Sequence, residues 1–258
     1  MKRTTSAVPT PGGPCQTHWF RPETGSGPWS AVVFCIDGVG ARPSLFEMAD
    51  RIAQRGYLVA MPDLFHRVGS PFELLPAGNP HTVEAMVPVF ADPVARERWR
   101  ERFFASATDP AHLREDIGAM LDVLDRQADA RASRVAVTGY CMGGNVALRL
   151  AALFSDRVVA CASFHGSLLA TEQPDSPHFS APQIRARVYV AGAIDDPSFT
   201  DAMSRRLVRA LEDAAVDHVV ETYAGAHHGF AVPDHPAYLR AAAARHDDAL
   251  LALLAQTL

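Results

Sequence analysis

The sequence is poor in cysteine, and its four cysteines are scattered: Cys15, Cys35, Cys141 and Cys161, with no CxxC pair among them. That spacing offers neither a zinc ligand set nor a disulfide framework, and it fits a reducing compartment. The roughly 18 consecutive apolar residues that a membrane span needs are missing. Met1-Lys2-Arg3 leads into a small, polar, Pro- and Gly-containing stretch to Pro14, not into the apolar core of a signal peptide. Excess positive charge is missing as well, since the net charge is -5, which argues against a nucleic-acid partner. No internal repeat, low-complexity segment or domain boundary stands out. The expectation is a cytoplasmic protein, monomeric or a small homo-oligomer, with no membrane partner, no metal and no cofactor.

What is present suits one large α/β domain: 258 residues, 48% hydrophobic and 21% charged. Residues 1–14 read as a flexible N-terminal arm and residues 15–258 as the domain, with an edge strand over 16–21. Ala31-Val32-Val33-Phe34-Cys35-Ile36 is a near-continuous apolar run, the mark of a strand buried on both faces. Similar strands are predicted over 57–61, 134–138, 158–164, 187–191 and 218–223, alternating with amphipathic helices. This alternation predicts a single doubly wound, mostly parallel sheet with helices on both faces. A long irregular stretch from Pro62 to about Val94 is the place for a lid or substrate loop, followed by a short Arg-rich helix over 96–104.

The chemistry centres on Gly139-Tyr140-Cys141-Met142-Gly143-Gly144, between a predicted strand and an Ala/Leu-rich helix. Glycines flanking one nucleophilic side chain permit the tight, strained turn that pushes that side chain outward. Cys141 is therefore the candidate nucleophile; the alternative is a small buried cysteine beside a packing turn. At a helix N-terminus the thiolate is favoured by the dipole, but it needs a base and the base an orienting acid. Both follow in hydrolase order, each after a predicted strand: Gly192-Ala193-Ile194-Asp195-Asp196-Pro197, then Ala226-His227-His228-Gly229-Phe230. Asp195 is read as the orienting acid and Asp196 as a helix cap; His228 is read as the base and His227 as a solvent-facing neighbour.

These segments resemble the dienelactone hydrolases, α/β-hydrolases with a cysteine nucleophile. The hexapeptide at Cys141 looks like the family's G-Y-C-[LM]-G-G elbow, His228-Gly229-Phe230 like its H-[GS]-F motif, and Gly192-Ala193-Ile194-Asp195 like its G-x-x-D. Asp37-Gly38-Val39-Gly40, Arg55-Gly56-Tyr57 and Pro62-Asp63-Leu64 resemble first-half signatures, and the likeness runs from about Ser30 to the C-terminus. The resemblance implies an α/β-hydrolase fold and a Cys141–His228–Asp195 triad that cleaves small esters or lactones through an acyl-cysteine. It also implies an oxyanion hole from the backbone N–H groups of Met142 and Gly38. Asp37 falls where the family keeps an acidic residue that influences the thiol, although Asp before Gly also simply makes turns. Arg98 or Arg100 falls in the region of one substrate-anchoring arginine, and His165, Phe65, His66 and Phe230 are candidate pocket residues. The family's other anchoring arginine, four residues after the histidine, is Val232 here, which weakens dienelactone itself as the substrate. Acyl transfer to an alcohol or amine is a near variant of this reading. A non-enzymatic ligand binder, or a thiol redox sensor acting through Cys141, is the alternative of a different class.

Overall fold

The computed structural model describes residues 2–258, folded around one eight-stranded sheet. The strands are β1 (Lys2–Thr10), β2 (Gly13–Arg21), β3 (Trp29–Cys35), β4 (Tyr57–Pro62), β5 (Ala130–Tyr140), β6 (Val158–Phe164), β7 (Arg187–Ala193) and β8 (His218–Tyr223). They lie in the order β1-β2-β4-β3-β5-β6-β7-β8. β1 pairs antiparallel with β2, and β2 with β4; every other neighbouring pair is parallel. The helices are α1 (Pro43–Ala53), α2 (Val83–Ala91), α3 (Pro93–Trp99), α4 (Ala105–Thr108), α5 (Pro110–Asp125), α6 (Met142–Leu153), α7 (Asp201–Asp213) and α8 (Arg240–Thr257). The architecture is α/β, as the alternation predicts, and it puts the apolar run of β3 under cover: Ala31 through Ile36 are fully buried.

Two expectations at the ends of elements need correction. Residues 2–10 are not a flexible arm but the edge strand β1, joined to β2 by a turn at Pro11-Gly12 and paired in register from Lys2↔Arg21 to Thr10↔Gly13. The pairing is helped by the Thr, Ala and Val content of the strand and by Val8, which is 1% exposed. Pro9 is tolerated because this is an edge strand. The segment 16–21 is consequently an interior strand of the sheet, not its edge. The irregular stretch after β4 is the second difference, because it contains α2. Thr82 caps that helix by accepting the Ala85 N–H, and Asp92 caps α3 by accepting the Ala95 N–H. A turn of π-helix over Arg100–Phe104 links α3 to α4, a feature that often marks functional segments. α5 begins as expected, with Asp109 accepting the N–H groups of Ala111 and His112 ahead of Pro110 at the first position.

Among the described residues, no helix is long and apolar enough to cross a membrane. The parallel strands β3, β5, β6, β7 and β8 all open their carboxyl ends on the same side, where such sheets gather their ligand sites.

Candidate active site

β5 ends at Tyr140, whose ring is fully buried between Phe34 (centroids 5.0 Å apart) and Phe164 (5.6 Å). Its hydroxyl meets His246 Nε2 at 2.9 Å. With Tyr140 held in the core, the next residue must project outward. Cys141 does so with φ 55° and ψ -118°, a left-handed conformation that costs a non-glycine residue on the order of 1–3 kcal/mol. The surrounding backbone over-determines it: Cys141 N–H donates to Phe164 O (3.2 Å), and its carbonyl accepts from Gly144 N–H and Ser167 N–H (3.0 Å each). α6 starts immediately at Met142, so the thiol sits at a helix N-terminus. Any side chain at Gly143 would run into the Cys35 and Ile36 carbonyls of the neighbouring strand end, which explains the glycine there.

His228 lies in the loop after β8, beside the Cys141 thiol and close enough for each charge to act on the other. Its Nδ1 donates to Asp196 Oδ2 at 2.7 Å. The partner expected at Asp195 is therefore found one residue later, and this corrects the sequence reading. β7 continues to Ala193, and the chain turns at Asp195 (φ 52°), which leaves that side chain exposed. The turn swings the following carboxylate inward, so the Asp196 side chain has no solvent exposure. Asp196 does not cap the next helix as expected: Thr200 caps α7 by accepting the Met203 N–H at 3.3 Å, while Asp196 Oδ1 accepts the Ser198 N–H at 2.8 Å within the turn. His227 is exposed.

Burial opposes every charge in this trio, yet the neighbours win. Desolvation pushes the Cys141 thiol up, but the charge and hydrogen bond of His228 outweigh it and hold the thiol below its ordinary value. Desolvation likewise pushes His228 down, but the Cys141 charge and the Asp196 hydrogen bond raise it to about 10. Asp196 is pushed up by burial and pulled below its ordinary value by His228. Both directions favour a thiolate–imidazolium pair near neutral pH.

The loop after β3 closes the other side of the thiol. Asp37 is buried and faces the same cavity, but its carboxylate is gripped by the Arg42 fork at 2.7 and 2.8 Å and also accepts the Val39 N–H at 3.0 Å. Arg42 reaches on to Asp234, at 2.8 and 3.0 Å. It thereby ties the Gly38 loop to the segment that follows His228. Asp37's charge pushes the thiol upward. Gly38 has its own clamp: the Trp99 indole N–H, carried in from α3, donates to the Gly38 carbonyl at 3.1 Å. A Cβ at position 38 would sit 2.7 Å from Trp99 Cζ2, so only glycine fits beneath the ring.

These groups open on a cavity of about 500 Å³ that is lined by Asp37, Gly38, Cys141, His165, Asp196 and His228 on its inner side. Of the two candidate arginines, Arg100 lines it and Arg98 does not; Arg96, one helical turn before Arg100, takes part instead. All three arginines are exposed. His165 stands edge-on to His228 (5.1 Å) and Phe230 (5.0 Å), with φ 39°. Burial and the His228 charge hold it well below its ordinary value, so its ring is a neutral wall. Phe65 packs on Phe103 instead (5.5 Å), and His66 pairs with Asp116 (3.5 Å) and Thr10 (3.4 Å) away from the cavity. Among the described residues, no group of three or more His, Cys, Asp or Glu side chains could hold a metal ion.

Sequence reasoning missed Ser167, whose Oγ lies 3.5 Å from Cys141 Sγ, and with it Arg42, Asp234, Trp99 and Arg96. None sits in a motif. Ser167 is held by Asn145 on α6, whose Nδ2 donates to the Ser167 and Leu168 carbonyls at 3.1 and 3.0 Å.

A sequence model of the dienelactone hydrolase family matches residues 16–258. A provisionally named carboxymethylenebutenolidase of Synechocystis sp. is 24% identical over 221 residues, covering 84% of this chain and 82% of that protein. The crystal structure of a provisionally named dienelactone hydrolase from Klebsiella pneumoniae superposes with a TM-score of 0.83 at 22% identity, over 99% of this chain and 98% of that one. A dienelactone hydrolase-like promiscuous phosphotriesterase, P91, from metagenomic libraries superposes with a TM-score of 0.72 at 24% identity, over 100% and 99%.

Proposed function

The chain belongs to the dienelactone hydrolase family, and from that premise we propose that it hydrolyses small carboxylic esters or lactones through a Cys141–His228–Asp196 triad. One observation carries the reading: a thiol on a strained elbow stands beside an imidazole whose far nitrogen meets a fully enclosed carboxylate at 2.7 Å. A binding protein has no need of that three-part chain.

The thiolate attacks the ester carbonyl, forming a C–S bond and moving the π electrons onto oxygen. The N–H groups of Met142 and Gly38 receive that oxyanion, Met142 because it opens α6 and its N–H has no partner within the helix. Collapse breaks the C–O bond, and the His228 imidazolium gives its proton to the departing alkoxide; in a lactone the alcohol stays tethered. The acyl-cysteine is neutral, so the charge that raised His228 most is gone, and the imidazole becomes a base able to accept a proton from water. Attack by that water and expulsion of the thiolate release the acid and restore the ion pair. Asp196 keeps the Nδ1 proton in place throughout and stabilises the imidazolium.

The test is a panel of aryl esters, enol esters and lactones with purified protein. Wild type should show a burst of alcohol release stoichiometric with thiol, and Cys141→Ala should be inert. Turnover in Cys141→Ala equal to wild type would overturn the proposal.

A further inference from the structure

α2 carries apolar residues on two faces, which a helix that merely closes a loop does not require. Met86 and Val89 are buried against the core. Val83, Val87 and Phe90, spaced four and three apart, form a second stripe that lines the cavity over Cys141. Val87 is 41% exposed although it lies within this concave, apolar-lined space. Val83 is buried and Phe90 is half-buried against Trp99, so Val87 is the stripe member that stands free in the cleft, and an exposed apolar side chain within a concave apolar space marks a ligand surface. Phe104 and Leu168 extend the stripe, and Val232, itself 1% exposed, completes it beside His228.

The charged groups of the cavity are already engaged or solvated. Asp37 is held by Arg42, and Asp196 by His228. Arg96 and Arg100 are exposed, Arg96 reaching the Phe90 carbonyl at 3.4 Å and Arg100 approaching Glu97 at 3.9 Å. Neither arginine is enclosed as a dedicated anion clamp would be.

We propose that the substrates are uncharged esters bearing a bulky apolar group, of medium-chain alkyl or aryl type, which lies along the α2 stripe while the carbonyl sits at Cys141. This rests on the hydrolase reading above and adds the substrate class to it. A cavity of about 500 Å³ accommodates such a group with room for the reacting ester.

The experiment measures kcat/KM for p-nitrophenyl alkanoates from acetate to octanoate, alongside monoesters of dicarboxylic acids of matching length. Each methylene buried along the stripe should raise kcat/KM by about fourfold until the cavity is full, and every carboxylate-tipped ester should fall below its neutral counterpart. Val87→Asp should flatten the chain-length slope, with Val87→Thr, of the same shape, intermediate; circular dichroism verifies that both fold. Cys141-dependent hydrolysis with no chain-length slope in wild type, or a preference for the anionic esters, overturns this inference alone. Absence of Cys141-dependent turnover on every ester overturns the hydrolase reading as well.

Discussion

Asp195 and Asp196 are adjacent and chemically identical, so exchanging each for asparagine isolates what position does. In Asp196→Asn one oxygen remains for two N–H donors, His228 Nδ1 and Ser198 N, which the native carboxylate serves at 2.7 and 2.8 Å. If the amide oxygen keeps Ser198, its NH2 faces His228 and forces Nδ1 to become an acceptor. That is the tautomer unable to form an oriented imidazolium. Cys141 and Asp196 both raise His228. Losing the charge-assisted hydrogen bond from Asp196 costs on the order of 2–3 kcal/mol, about a hundredfold in kcat/KM. Asp195 is exposed, and its exchange should change activity less than twofold. The assay pairs ester turnover with the pH dependence of iodoacetamide alkylation. In Asp196→Asn the upper limit of the ion-pair window should move down from about 10, whereas Asp195→Asn should overlay wild type. An equal or larger loss in Asp195→Asn would refute the assignment.

The pH profile of kcat/KM should be bell-shaped and belong to the coupled pair. Activity should fall as acid protonates a thiol lowered from its ordinary value, and again near 10 as the raised His228 loses its proton; a single sigmoid rising at ordinary thiol pH would contradict the ion pair. Trp99→Phe keeps the ring but removes the donor to the Gly38 carbonyl. It should lower kcat about tenfold with little change in KM, the worth of roughly 1–2 kcal/mol for a buried hydrogen bond that aims an oxyanion donor; a change confined to KM would place Trp99 in substrate contact alone. Arg42→Leu strands a buried Asp37 and should cost about 3–5 kcal/mol of stability. In a chain of this size that lowers Tm by roughly 10 °C, with Arg42→Lys only partly restoring it, because one ammonium cannot fork to both Asp37 and Asp234.

How legible each feature was depends on the range of the interactions that create it. The elbow at Cys141 was readable because its glycines answer to local backbone geometry, and the order of elements because buried parallel strands advertise themselves as apolar runs such as 31–36. Asp109-Pro110 announced α5 for the same local reason. β1 was not readable: its exposed residues look like a tail, and only the ladder to β2 makes them a strand. Arg98 and Arg100 looked equivalent in the chain, but two residues apart on a continuous helix they face different sides, and the docking of that helix put Arg100 on the cavity and Arg98 off it.

By itself, then, the amino-acid order determined the α/β class, the elbow that carries Cys141 and the loop that carries His228, because each rests on periodicity or on a turn that a few consecutive residues enforce. Tertiary structure decided everything that depends on direction. A left-handed φ at Asp195 turned Asp196 to His228. The Trp99 indole, sixty-one positions away in the chain, clamped Gly38. The packing of α2 onto the core turned Val83, Val87 and Phe90 over the thiol. Side-chain direction depends on where neighbouring elements come to rest, and the long-range contacts that set it leave no periodic trace in the sequence.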